Sequence, residues 1–112
     1  MIEARKLAKL CREAALDKKA DDVIILDVRK ISSVTDYLMI CSANSEPHLK
    51  AVAEEISRRA RDAGARAKHQ NGYPASRWMV LDFTDVMVHV FHPELRERYG
   101  LEQLWGDAKR VR

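Results

Sequence analysis

Residues 81–91 read LDFTDVMVHVF, a nearly unbroken apolar run interrupted by two acids and a histidine. The stretch decides the fold if it is two strands around a tight turn. Met79 to Phe83 and Val86 to Phe91 then pair antiparallel about Thr84 and Asp85, and the two-residue period of a strand assigns the faces. Met79, Leu81, Phe83, Val86, Val88 and Val90 share one face. It is wholly apolar and must be core. The opposite face sets Trp78 against Phe91, Val80 against His89, and Asp82 against Met87. This mixture of large apolar and polar groups is the first functional lead.

Upstream, VIILDV (Val23 to Val28) opens with four apolar residues in a row, which suits a strand covered on both faces in mid-sheet. YLMIC (Tyr37 to Cys41) is a second such run. From Glu3 to Leu16 the residues Leu7, Leu10, Cys11 and Ala14 recur at helical spacing, so the chain opens with an amphipathic helix. A second long helix follows Ser45, which is placed to cap it. Pro47 is tolerated in its first turn, its stripe is Leu49, Val52, Ala53, Ile56, Ala60 and Ala63, and Gly64 stops it. Glu54 and Glu55 stand four residues before Arg58 and Arg59, which makes the RRAR run a solvated helix face. A short strand at 65–69, a turn at 70–74 and a short third helix from near Pro93 complete the expectation. The fold class is α/β: a mixed sheet of about five strands, two long helices and a short C-terminal helix.

The chain has 112 residues, the size of one domain with one core, so residues 1–112 are read as a single domain. No apolar run is long enough to span a bilayer and the N-terminus has no secretory apolar core, so no membrane role and a cytoplasmic location are expected. The cysteines, Cys11 and Cys41, sit among core-like neighbours and read as reduced, buried thiols. Twenty basic residues against seventeen acidic ones give a net charge of +3. That excess is too small to define a nucleic-acid-binding protein. The basic end, Lys109 to Arg112, reads as a frayed, solvated tail.

No catalytic, cofactor or metal constellation emerges. His89 and His92, three apart, diverge in a strand. Ser32, Ser33, Thr35 and Asp36 form a hydroxyl-rich loop with no glycine cradle and no P-loop lysine, and their expected work is to bond the backbone of a turn. Asp27, Asp36, Asp82 and Asp85 are not spaced as a metal-binding carboxylate pair, and Asp27 is expected to end its strand.

The succession KKADDVIILDV, SSVTDYLMICSANSEPHLKAVAEEI, RWMVLDFTDVMVHVF and RERYGLEQLW, from about Ala14 to Ala108, closely resembles the ribosomal silencing factor family, also called Iojap-related. The resemblance implies a nucleotidyltransferase-like core without catalytic residues, hence no enzyme. It implies binding to the large ribosomal subunit through ribosomal protein L-fourteen, a block on joining of the small subunit, and repression of translation when nutrients run short. The chain carries Thr84 where the family usually has glycine, Asn71-Gly72 where Glu-Gly is common, and CSANS in place of a loop richer in glycine and threonine.

On this reading the mixed face is a docking surface: Trp78, Val80, Met87, His89 and Phe91 as anchors, flanked by Asp82, Asp85, Glu94, Tyr99 and Trp105. The acids would suit a basic ribosomal protein, with a minor contact to ribosomal RNA beside it. A second occupant fits equally. The C-terminal RERYGLEQLW can fold back and cover the face with Tyr99, Leu101, Leu104 and Trp105, and the two can share it. The same face would also suit a homodimer of the free protein. An RNA-binding or nucleotide-binding module of the same fold is the alternative function.

Overall fold

The computed structural model of the chain describes residues 2–73, 77–100, 103, 106 and 108–111, and for 69–73 and 99 the backbone. The elements run α1 (Ala4–Asp17), β1 (Asp21–Asp27), β2 (Tyr37–Ser42), α2 (Glu46–Asp62), β3 (His69–Tyr73), β4 (Trp78–Asp82), β5 (Val86–Phe91), α3 (Pro93–Tyr99) and β6 (Lys109–Arg110). The strands form one six-stranded sheet in the order β3-β4-β5-β2-β1-β6. It is mixed: β2 and β5 are parallel, while the other neighbours are antiparallel.

The hairpin has the expected register, with Trp78 opposite Phe91, Val80 opposite His89 and Asp82 opposite Met87. The turn is tight. The Phe83 N–H donates to the Val86 carbonyl at 2.9 Å, and the Asp85 N–H reaches back to the Phe83 carbonyl at 3.0 Å. Thr84 between them has φ +76°, a conformation costly for a β-branched residue and free for glycine. The Asp82 carboxylate accepts from the Thr84 N–H at 2.8 Å and helps hold it there.

The helices cover one face. Leu7, Cys11 and Ala14 of α1 and Leu49, Val52 and Ile56 of α2 pack on Ile25, Met39, Cys41, Leu81, Val88 and Val90. Ser45 caps α2 by accepting from the His48 N–H at 3.2 Å, and Gly64 (φ +93°) follows the helix in the left-handed region. Both cysteines are free and buried, and burial pushes each thiol up to about 12. The other sheet face holds a smaller cluster of Leu26, Val28, Leu38, Ile40 and Phe91, with Ile24, Trp78, Met87 and Ala108 against it. β2 is therefore buried along its whole length, with apolar side chains on both faces.

Four expectations need correction. YLMIC and VMVHVF form the middle of the sheet, whereas VIILDV lies next to the edge and bears a bulge between Asp21 and Ile24. The strand expected at 65–69 instead spans His69–Tyr73, because its backbone pairs with β4 through most of the stretch expected to turn. Glu54 faces Lys50 and not Arg58. It is Glu55 that takes both Arg58 (2.7 Å) and Arg59 (2.6 Å), with Arg59 also paired to Asp17 of α1. Lys109 and Arg110 are no frayed tail: they pair with Asp27 and Leu26, and Arg12 of α1 donates to the Val111 carbonyl at 3.3 Å.

Candidate functional site

β4 and β5 bring Trp78, Val80, Asp82, Met87, His89 and Phe91 onto one face, as the two-residue period requires. Phe91 is fully buried and supports the face from within, so it offers no surface of its own; the other five are half-buried. Trp78, His89 and Phe91 form an aromatic group, with ring centroids 5.2 Å apart for Trp78 and Phe91, 5.5 Å for His89 and Phe91, and 6.2 Å for Trp78 and His89. The Trp78 indole Nε1–H donates to His89 Nδ1 at 3.3 Å. The imidazole thus carries its proton on Nε2, and burial lowers its pKa from 6.5 to about 4. His89 is a neutral aromatic spacer here, and protonating Nδ1 would take away the acceptor that the indole uses.

Asp85 stands at the turn tip with its side chain exposed, while its carbonyl accepts the N–H groups of Asp36 and Tyr37, both at 3.0 Å. This ties the hairpin tip to the start of β2. Glu94, in the first turn of α3, is exposed and faces Arg77 at 3.4 Å. Its carboxylate is therefore partly balanced before any partner arrives. Tyr99 closes α3; its side chain, and all of Leu101, Leu104 and Trp105, lie outside the described residues, as does the expected cover they would form.

His92 does not share the strand with His89. It caps α3, its Nδ1 accepting from the Glu94 N–H at 3.2 Å. Ser32 and Thr35 bond the backbone as expected, Ser32 accepting from the Val34 N–H and Thr35 donating to the Tyr37 carbonyl. Asp27 ends β1 and takes a two-pronged grip from Arg29, at 3.0 and 2.7 Å, which holds its carboxyl below the usual range. Among the described residues no three His, Cys, Asp or Glu side chains converge as metal ligands.

One feature of the region had no sequence signal. Arg96, on α3, is buried and donates to the hydroxyl of buried Ser42 at 3.0 Å, fastening α3 to the end of β2. An arginine in a charged helix reads as solvated. Only the packing of α3 over the sheet end reveals that it turns inward. Beside it opens a cavity of about 410 Å³, lined by Asp22, Ser42, Pro93, Arg96, Glu97, Gly100 and Gln103.

Fold and face together define an α/β protein in which one sheet face is closed by two helices and the other presents a partly covered aromatic strip. A model of the family described as "Ribosomal silencing factor during starvation" matches residues 1–112. A ribosomal silencing factor from Bacillus subtilis is 42% identical over 107 residues, covering 96% of this chain and 91% of that protein. The crystal structure of a Chromobacterium violaceum protein superposes with a TM-score of 0.90 at 32% identity, over 94% of this chain and 88% of that one. One from Bacillus halodurans gives 0.83 at 39%, over 96% and 98%. The chain belongs to the ribosomal silencing factor family. Its class is regulatory rather than catalytic.

Proposed function

We propose that this protein, acting in the cytoplasm as a single domain, binds the large ribosomal subunit, docks on ribosomal protein L-fourteen, and so blocks joining of the small subunit when nutrients run short. The observation that carries the reading is the β4–β5 face. Trp78, Val80, Met87 and His89 remain half-buried on a sheet whose other face is closed, and Asp82 and Asp85 stand at one end of the strip. Aromatic and aliphatic anchors supply area, and the acids complement a partner made basic by its own need to hold RNA. No catalytic step and no cofactor enter this reading.

The test is sedimentation of the protein with purified subunits. Co-sedimentation with large subunits alone, and a lowered yield of joined ribosomes, is the expected result. Small subunits joining freely onto large subunits saturated with the protein would refute it. Sedimentation of the free chain reports whether the same face makes a homodimer, and titration with ATP and magnesium addresses the nucleotide-binding alternative.

A further inference from the structure

The fold gathers cations that the sequence scatters. β6 lies against the end of β1, so Lys109 and Arg110 stand beside Asp27 and Leu26. Arg12 of α1 reaches the same segment through the Val111 carbonyl, and Arg5 lies close enough to Asp27 to stabilise its carboxylate. From the other side comes the β1–β2 loop: Arg29, Lys30 and Ile31 share with Asp27, Ala108 and Lys109 the walls of a cavity of about 160 Å³. Three separate stretches of chain thus place Arg5, Arg12, Arg29, Lys30, Lys109 and Arg110 on one surface. Among the described residues the acids facing this group are Asp27, held by Arg29, and Asp36, within electrostatic reach of Arg29. Even without Arg110, three positive charges are left in excess among the described residues, as many as the net charge of the whole chain.

The same loop carries exposed apolar tips, Ile31 at 46% and Val34 at 71% exposure. It also adjoins the docking face, because β2 starts where the loop ends and Leu38 pairs with Met87. We propose that this surface is a second contact with the ribosome, one that lies along the phosphate backbone of ribosomal RNA while the β4–β5 face meets protein. Charge complementarity selects the occupant. An excess of Arg and Lys, displayed on a fixed sheet edge and a loop, matches a line of phosphates. The proposal rests on the large-subunit reading above and extends it: the two ends of the sheet read two different chemistries.

Exposed Lys30 and Lys109 are the residues to change. Affinity for isolated large subunits is measured between about 50 and 200 mM salt, for the parent, for Lys30→Glu with Lys109→Glu, and for the matched reversal Lys50→Glu with Arg61→Glu on α2. The same three proteins are titrated with a naked RNA duplex. Each phosphate contact contributes about 0.9 to the slope of log affinity against log salt, so the first double variant should lose about two from that slope and weaken on the duplex as well. The α2 variant should keep the parent's slope. If the first variant melts early, Lys30→Ala with Lys109→Ala takes its place, with the same loss of slope expected.

An unchanged slope overturns the proposal. Weaker subunit binding with an unchanged slope and unchanged duplex binding also overturns it, and assigns the patch to an acidic protein surface. If the parent fails to bind subunits at all, the docking reading falls, and the duplex titration alone decides whether the patch holds RNA.

Discussion

Acidifying the protein should destabilise it through one residue, His89. In the folded state its imidazole is neutral with a pKa near 4, held there by burial, and its Nδ1 accepts from the Trp78 indole; in the unfolded chain the value is 6.5. Below 6.5 the unfolded chain therefore binds the proton first. The stability His89 contributes is complete above that pH and is lost as pH falls from 6.5 toward 4. Between neutrality and pH 5 the two pKa values correspond to a loss of about 2 kcal/mol. The carboxylates held low by arginines, Asp27 and Glu55, act in a lower window, because their ordinary values are 3.8 and 4.5. Urea unfolding at pH 7.5 and pH 5, on the parent and on His89→Gln, isolates the effect. The parent should lose about 2 kcal/mol more than the variant on acidification. Parallel losses in the two proteins would refute the assignment of His89 as the buried neutral base of the face.

Substitutions at three positions in the hairpin separate its roles. Thr84→Gly should raise stability by about 1 kcal/mol, the strain of a β-branched residue at positive φ less the added freedom of glycine in the unfolded chain; a lower melting temperature would show that Thr84 earns its place by a contact. Leu81→Ala, a truncation in the helix-covered core, should cost roughly 2 to 5 kcal/mol while leaving large-subunit affinity intact at temperatures where the protein is folded. Asp82→Asn keeps an oxygen for the Thr84 N–H and removes the charge, so subunit affinity should fall with stability nearly unchanged. Asp82→Lys should lose affinity and also about 1 kcal/mol of stability with the turn bond. Binding as tight as the parent's by both Asp82 variants would move the docking surface elsewhere.

What the sequence made legible were features with short-range causes. Ser45, Pro47 and Gly64 bound α2 because capping and helix termination depend on a few neighbouring residues, and the hairpin register followed from a two-residue turn and strict alternation. Pairings that depend on distant chain were not legible. β3 carries His69, Gln70, Asn71 and Gly72, a composition that reads as a turn, and it is a strand because β4 offers a ladder beside it. Lys109 and Arg110 read as frayed because nothing local holds them. β1, far away in sequence, does. Of the candidate docking residues, the alternation placed Trp78, Val80, Asp82, Met87 and His89 on one face, but could not say that Phe91, in the same row, is sealed by the second cluster. Which charges converge around Asp27 depends on topology alone.

The parallel ladder between β2 and β5 has a consequence for how the chain acquires its shape. Tyr37 meets Val86 and Ser42 meets Phe91, so the centre of the sheet cannot zip up until the chain carrying α2, β3 and β4, which separates the two strands in sequence, has looped back. Long-range parallel pairing of this kind slows folding, since a large loop must close before its contacts reward it. During that wait YLMICS, apolar on both sides, has only β1 as a neighbour and is the segment most exposed to pairing with another chain. Misassembly in this protein should therefore begin at residues 37–42, and crowding of newly made chains, rather than heat, is the condition that would expose it.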